Sequence, residues 1–124
     1  MLVTYTLLYM TIEILEYVDG RGDSPYGKWF NGLNAKAAAK ITTAIDRIGR
    51  GLMTNVESVG GGVSERKIDF GPGYRIYFGS ETDGRVTKVV ILLNGGTKSG
   101  QSKDIGLAMQ YWKDYKIRKR KGER

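Results

Sequence analysis

The sequence predicts an α+β domain whose elements follow the order strand, helix, helix, three strands, helix. In three segments apolar and polar side chains alternate, and a fourth segment is apolar on both faces, as in strands. These strand segments are residues 11–18, 65–70, 74–78 and 86–93. After Asn34 and after Ser102, apolar residues instead recur every three to four positions, as in amphipathic helices. The 124 residues, 40% of them hydrophobic, are enough for one domain with its own core.

The first strand and the first helix are predicted from local signals. Ile12 and Ile14 lie on one side of the strand over residues 11–18. Ser24 and Pro25 then predict a helix start, because Ser caps a helix and Pro at the first helical position gives up no needed hydrogen bond. We expect this helix to be short and to carry two aromatic residues.

The second predicted helix is capped by Asn34 and ends at Gly49. Its apolar stripe is expected to face the core. The opposite side is basic, with Lys36, Lys40 and Arg47. A basic stripe of this kind is either a solvated face or the flank of a nucleic-acid groove.

The most informative part of the chain is a pair of strands joined at the tight turn 71–73. Alternation places Glu65 and Lys67 of the first strand, and Arg75 and Tyr77 of the second, on the outward side. A shared outward surface with Lys67, Arg75 and Tyr77 would suit an RNA phosphate. Since an outward residue contributes little to the core, we expect Arg75→Ala to abolish activity and to leave the fold intact.

The segment 86–93 is expected at the centre of the sheet because it is apolar on both faces. A polar loop over residues 97–101 follows it, and the last helix is expected to begin near Ser102 or Lys103. Asp104 lies in the first turn of that helix, where a carboxylate complements the helix dipole.

Composition limits the chemistry that the chain can perform. It has no Cys and no His, which excludes disulfides, thiolate zinc sites, a Cys nucleophile and imidazole bases. Any catalysis must therefore use Lys, Arg, Tyr, Asp or Glu. The absence of Cys is compatible with a reducing cytoplasm.

Positive charge is concentrated in the last third of the chain. The net charge is +7, and residues 85–124 hold eleven basic and three acidic side chains. Four consecutive basic residues occupy positions 118–121. Such a pole attracts polyanions such as nucleic acid without specifying a sequence, unless it is simply a solvated tail.

Residues 1–9 are apolar, but they lack the basic start and the cleavage site of a signal peptide. They are also too short to span a bilayer. We expect them to be an N-terminal extension of the domain, the alternative being an extra edge strand or a disordered arm.

Several motifs together resemble one protein family. They are Ser24-Pro25-Tyr26, Trp29-Phe30, the run from Ile68 to Phe78, Asn94-Gly95-Gly96-Thr97-Lys98 and Lys103-Asp104-Ile105. Their order and separation are similar to those of the RelE/ParE superfamily of toxin–antitoxin toxins, specifically its phage-derived, HigB-like "addiction module killer" branch. The resemblance covers about residues 10–118 and leaves a basic tail, residues 119–124, outside the domain.

The resemblance implies a RelE-like compact domain with a mostly antiparallel sheet. It also implies the toxin of a type II module, a cytoplasmic endoribonuclease (mRNA interferase) that acts on ribosome-bound mRNA. Such a toxin needs no metal or other cofactor and no membrane, and a cognate helix-turn-helix antitoxin neutralises it. Cleavage without a metal requires a base for the 2′-hydroxyl, charge to stabilise the phosphorane, and an acid for the 5′-oxygen.

The resemblance and the residue types together suggest roles for the side chains. Lys67 is the proton-transfer candidate because neighbouring cations favour its neutral form. Arg75 would hold the phosphate, Lys98 would add charge, and Tyr77 would stack on a base or bond to phosphate. Asp104 and Glu65 are the carboxylates able to act as base or to orient a basic side chain. Further RNA contacts are assigned to Arg66, Gln101, Lys103, Arg118 and Lys119.

Other functions fit the same sequence. The ParE branch inhibits DNA gyrase without cleaving RNA, so the domain could be a protein-binding inhibitor. It could also be a non-catalytic RNA-binding phage regulator that relies on its basic tail. Finally, the charged residues of the hairpin could form a solvated ion network with no functional role.

Overall fold

The computed structural model describes residue 2, residues 11–84 and residues 87–122. Within these residues the chain forms an α+β domain, which confirms the predicted fold class. Its elements are β1 (Thr11–Glu16), α1 (Pro25–Asn31), α2 (Ala35–Gly49), β2 (Val56–Gly60), β3 (Val63–Ile68), β4 (Tyr74–Asp83), β5 (Thr87–Thr97), a short 3-10 helix (Lys98–Gly100) and α3 (Gln101–Arg120). The expectation for residues 1–9 falls, apart from Leu2, outside the described residues.

The five strands form one sheet in the order β1-β5-β4-β3-β2. β1 pairs with β5 in parallel, and the other three pairings are antiparallel, so the sheet is mostly antiparallel as expected. β5 lies between β1 and β4, so it is an interior strand covered on both faces, but the middle strand of the five is β4.

The prediction of three strands after the helices was wrong by one, because it did not include β2. Its five residues lie at the edge of the sheet, and two of them, Val56 and Val59, are only half buried. A short edge strand with one face in solvent has little apolar pattern to detect. Residues 61 and 62 form the turn of the β2–β3 hairpin.

Helices cover both faces of the sheet. α1 and α2 pack on one face, where Ile41, Ile48 and Ile76 belong to the buried core. α3 packs on the other face, where Ile91 and Trp112 belong to a second core. β4 and β5 are consequently buried on both sides, and a side chain that points away from the first core is still covered by α3.

The helix starts follow the predicted capping residues. The Ser24 Oγ accepts a hydrogen bond from the Gly27 N–H at 2.9 Å, and the Asn34 Oδ1 accepts one from the Ala37 N–H at 2.9 Å. The last helix begins at Gln101, one or two residues before the predicted start.

We expect the folded state to lose stability above pH 10. Burial raises the pKa of Tyr17 and of Tyr26 from 10.0 to about 12, and for Tyr17 a hydrogen bond to Asp114 adds to the effect. Below pH 10 both hydroxyls keep their protons in the folded and unfolded states. Between pH 10 and about 12 the unfolded chain ionises first, so the free energy of unfolding falls as pH rises.

Urea denaturation at pH 9 and at pH 11 measures this loss. Tyr26→Phe removes one of the two hydroxyls and should reduce the difference between the two pH values. An equal difference in wild type and Tyr26→Phe would contradict the contribution of Tyr26.

Candidate active site

A row of polar side chains crosses the α3 face of the sheet. Glu65 of β3 is paired in register with Tyr77 of β4, and Tyr77 with Asn94 of β5. Side chains opposite one another on neighbouring strands lie within about 5 Å at their Cβ atoms, so these three groups are adjacent. In the next row Lys67 is paired with Arg75, and Arg75 with Gly96.

A β-bulge in β5 brings Asn94 to this face. The register of β4 and β5 shifts between Tyr77 and Phe78, so that Leu93 is an extra residue. Leu92 belongs to the core under α1 and α2, whereas Leu93 belongs to the core under α3. Asn94 also faces α3, because its Nδ2 donates to the Asp104 carbonyl oxygen at 3.1 Å. Bulges often re-aim side chains next to active sites, and this one does so for Asn94.

The polar row is buried, which corrects the expectation of an outward, exposed surface. Glu65 is 1% exposed, Arg75 8% and Tyr77 0%. Alternation assigned these residues to the correct face of the sheet, but α3 covers that face. Tyr77 therefore has no exposed ring on which a base could stack, and the stacking role predicted for it is wrong.

Glu65 lies at the centre of a buried charge network. Its Oε1 is 4.0 Å from the Arg75 Nε, and its Oε2 accepts a hydrogen bond from the Gln101 Nε2 at 2.8 Å. Arg75 in turn donates from Nη1 to the Tyr74 carbonyl oxygen at 3.1 Å. Gln101, predicted to contact RNA, instead holds Glu65 in place and so positions Arg75.

Three buried polar atoms of this cluster have no hydrogen-bond partner among the residues that the structure describes. They are the Arg75 Nε, the Tyr77 hydroxyl and the Asn94 Oδ1. Buried polar groups in native proteins are nearly always bonded, so three neighbouring exceptions call for an explanation in structure or function. Burial, and then the Glu65 carboxylate, raises the pKa of Tyr77 well above its usual value, which keeps its hydroxyl protonated at neutral pH.

Asp104 lies at the edge of this cluster, in the first turn of α3 as predicted. A Cβ on Gly96 would lie 1.9 Å from the Asp104 Oδ2, so only glycine leaves space for the carboxylate there. Burial raises the pKa of Asp104 above its usual value. A half-buried carboxyl with a raised pKa is suited to proton transfer.

The cluster has a cationic rim, formed by Arg75 and Lys98 beside Gly73 and by Lys67, the register partner of Arg75. The Lys98 N–H donates to the Gly73 carbonyl oxygen at 2.8 Å. The Arg75 Nη1 and the Lys98 Cβ both lie 3.4 Å from the position that a Cβ on Gly73 would take. Lys98 is exposed, and the Lys67 side chain is 42% exposed with its Nζ 3.6 Å from the Glu57 Oε2. Two accessible amines therefore border one buried guanidinium.

Two of the predicted RNA contacts near the C-terminus already have partners within the protein. Arg118 donates to the Asp114 Oδ2 from Nε at 2.9 Å, and it also bonds to the Val18 carbonyl oxygen. Lys119 forms an ion pair with Glu81. Both residues lie toward the far end of α3 from Gly73, so the structure does not bring them to the rim.

The other two predicted RNA contacts also differ in position. Lys103 is exposed in the first turn of α3, next to Asp104. Arg66 is only 3% exposed and lies on the opposite face of the sheet, where its Nη1 donates to the Leu52 carbonyl oxygen at 2.8 Å. This placement agrees with the inward position that alternation predicts.

Sequence reasoning did not find Asn94 or Gly96 as members of the site. Both lie in β5 directly after its apolar run, and a polar residue followed by two glycines there is the signal that could have pointed to them. Their orientation depends on the bulge, which the sequence does not reveal.

These features define a class: an α+β domain with helices on both faces of its sheet and a buried polar cluster beneath a cationic rim. No family model matches the chain. It is 41% identical over 81 residues to a protein of Haemophilus influenzae (strain ATCC 51907 / DSM 11121 / KW20 / Rd) described as an uncharacterized protein. The match covers 64% of this chain and 78% of that protein, and the chain belongs to the same family.

The lengths and hydrophobicity of the helices also bear on whether the described part of the chain could cross a membrane. Among residues 11–84 and 87–122, no helix combines the length and the apolar character needed to cross a membrane.

Proposed function

We propose that the protein is the toxin of a type II toxin–antitoxin module and cleaves mRNA through the substrate's own 2′-hydroxyl. The observation that carries this proposal is that Arg75 and Lys98 meet at Gly73 and that Lys67 is the register partner of Arg75 on the neighbouring strand. The α+β fold with its mostly antiparallel sheet is compatible with a RelE-like domain. The resemblance of the hairpin and of the segment 94–98 to RelE/ParE toxins adds further support.

The rim has the charge that a phosphodiester needs. Lys98 is exposed, and Lys67 is 42% exposed with its amine 3.6 Å from the exposed Glu57 carboxylate. Both amines are open to a phosphate, which would compete with Glu57 for Lys67. Arg75 lies beneath them, with Nη1 bonded to the Tyr74 carbonyl oxygen and Nε beside Glu65. Of its five N–H donors one bonds to the Tyr74 carbonyl oxygen, and the pair on Nη2 is not among the buried atoms without a partner, so it can meet a non-bridging phosphate oxygen. A fixed guanidinium stabilises the phosphorane without reorganising during the reaction.

The proton transfers fall to Asp104 and Lys67. Glu65 is 1% exposed and bonded to Gln101, so a substrate hydroxyl cannot reach it. Asp104 is less buried, and its raised pKa lets it take the 2′-hydroxyl proton. Lys67 would then protonate the 5′-oxygen as it leaves. The products are a 2′,3′-cyclic phosphate and a 5′-hydroxyl.

The same proposal includes the partners and the compartment. The substrate would be mRNA on the ribosome in the cytoplasm. A cognate helix-turn-helix antitoxin would hold the toxin inactive until it is degraded.

The test is an in-vitro translation reaction with end-labelled mRNA, in which primer extension maps the breaks. We expect wild type to cut the message. The Lys67→Ala/Lys98→Ala double variant should cut at least about 100-fold more slowly, since loss of one transition-state donor alone costs about that much. Both side chains are exposed or half exposed, so the double variant should fold normally.

Lys113→Ala is the matched control, because Lys113 is an exposed lysine of α3 that lies outside the rim. It should cut as fast as wild type. Equal cutting by all three proteins would contradict the site, and intact mRNA with all three would contradict the nuclease and favour a gyrase inhibitor or a binding role.

A further inference from the structure

A second cationic feature lies between α2 and β3. It is a cavity of about 250 Å³. Its charged lining residues are Lys40, Arg47, Arg66, Lys67 and Asp69. The Lys67 amine lies on the other face of the sheet, 3.6 Å from the Glu57 Oε2. The side chains that bring positive charge into the cavity are therefore Lys40, Arg47 and Arg66, against the single carboxylate of Asp69.

Arg66 lies at the base of this cavity and is 3% exposed. Its Nη1 donates to the Leu52 carbonyl oxygen at 2.8 Å. Among residues 11–84 and 87–122, this is the one hydrogen bond of the Arg66 side chain, and no carboxylate forms a salt bridge with it. Burying a charge is costly unless it is paired, so this guanidinium has capacity for an anion that the protein does not supply.

Arg47 brings a second guanidinium to the same cavity from α2. Burial, and then the charge of Arg47, lowers the pKa of Arg66. The carboxylate next to Arg47 in the sequence, Asp46, pairs instead with Arg50 at 3.1 Å. Two neighbouring cations without a carboxylate between them repel each other, and a bound anion would convert that repulsion into attraction.

Lys40 completes the wall of the cavity. Its Nζ lies 5.3 Å from the centre of the Phe70 ring, and Lys40 precedes Arg47 by about two helical turns along α2. This contact holds the amine over an aromatic side chain at the mouth and leaves its N–H groups available to a ligand.

We infer that the cavity between α2 and β3 binds a phosphate group, held by Lys40, Arg47 and Arg66. Guanidinium groups match the geometry of phosphate oxygens and bind them through paired hydrogen bonds. Phosphate binding here does not require cleavage. If the proposed function holds, the phosphate is that of the RNA backbone, because Lys67 borders both this cavity and the rim around Gly73.

The test measures binding to an RNA that cannot be cleaved. A fluorescent 2′-O-methyl oligoribonucleotide lacks the attacking hydroxyl, and its anisotropy reports affinity over a series of salt concentrations. We expect Arg47→Gln to weaken binding about tenfold, the loss typical of one charge-assisted hydrogen bond. The slope of log K against log salt should also become shallower by about 1 for each phosphate that the variant no longer neutralises.

Lys36→Gln is the matched control, because Lys36 is an exposed lysine of α2 that does not line the cavity. It should change both quantities much less than Arg47→Gln does. Arg47 is itself exposed, so its variant should fold normally; Arg66→Gln is measured beside it, with a thermal melt to check its fold.

A second arm distinguishes the source of the phosphate. Calorimetry with inorganic phosphate and with adenosine monophosphate shows whether a free phosphate binds wild type and not Arg47→Gln. If the free phosphate binds wild type but not Arg47→Gln, while both proteins bind the oligonucleotide equally well, the cavity is assigned to a small phosphorylated compound. The inference is overturned if Arg47→Gln binds the oligonucleotide, inorganic phosphate and adenosine monophosphate as wild type does. None of these measurements depends on cleavage, so a failure of this inference can be told apart from a failure of the nuclease proposal.

Discussion

Arg75→Met is expected to lower the free energy of unfolding by about 3–5 kcal/mol, the usual effect of removing one partner of a buried ion pair. The variant would leave the Glu65 carboxylate, which is 1% exposed, with only the Gln101 amide as a partner. Chemical denaturation of wild type and variant measures the difference. This expectation replaces the one drawn from the sequence, in which Arg75→Ala left the fold intact.

The control is the double variant Glu65→Gln/Arg75→Met, which removes both charges and keeps an amide opposite Gln101. It should be more stable than Arg75→Met alone, because no unpaired charge is buried. A loss below about 1 kcal/mol in Arg75→Met, or a double variant no better than the single, would show that the pair is not desolvated as the structure indicates.

The expected loss of stability limits what an Arg75 variant can show about the nuclease proposal. Inactivity of an Arg75 variant would not by itself demonstrate a role in catalysis, since loss of the fold has the same result. Lys67 and Lys98 are the residues whose substitution separates chemistry from stability.

Gly79→Ala is expected to lower the free energy of unfolding by about 3 kcal/mol, the upper end of the usual cost of overpacking a core. A Cβ on Gly79 would lie 2.3 Å from the Cε3 of Trp112, far inside van der Waals contact. Trp112 cannot retreat, because it is 4% exposed and its ring stacks on Tyr115 with centroids 5.3 Å apart. Urea denaturation at neutral pH measures the loss.

Gly106→Ala is the matched control, because Gly106 lies in α3, the helix that carries Trp112. Nothing lies within 4 Å of its added Cβ. Alanine there should raise stability by about 0.5–1 kcal/mol, because it restricts the unfolded chain and favours the helix. Two results would contradict the close contact. One is a Gly79→Ala variant that is more stable than wild type. The other is a Gly79→Ala substitution that costs as much stability in a Trp112→Leu background as it does in wild type.

A similar contact occurs on the other face of the sheet. There a Cβ on Gly95 would lie 2.3 Å from the Cε3 of Trp29 of α1. On each face of the sheet, one tryptophan therefore packs directly against a strand glycine, where any larger residue would clash with the ring. The sequence shows the glycines and the tryptophans but not which of them meet.

Much of the fold could be predicted because it depends on local patterns. The Ser24 and Asn34 caps follow from capping chemistry, and the interior position of β5 follows from the distribution of apolar residues. The structure confirms both, although β4 and not β5 is the middle strand. β2 escaped prediction because a half-exposed edge strand of five residues leaves little pattern. Alternation also assigned Glu65, Lys67, Arg75 and Tyr77 correctly to a common face.

Alternation could not reveal that this face of the sheet is buried. Whether Arg75 is exposed depends on where α3 packs, and α3 follows in the sequence after the hairpin and β5. The orientation of Asn94 depends on a one-residue bulge, and a shift of one residue moves a side chain to the other side of a strand.

The sequence by itself therefore determined the fold class, the order of most elements, the cationic residues near the hairpin and the exclusion of His and Cys chemistry. These depend on residue types and on periods of two or 3.6, which act over a few neighbours. The tertiary structure alone decided that Glu65, Arg75 and Tyr77 are buried, that Asn94 and Gly96 join them, and that Arg47 and Arg66 meet across α2 and β3. Those outcomes depend on contacts between elements distant in the chain, where packing and desolvation act and local periodicity carries no information.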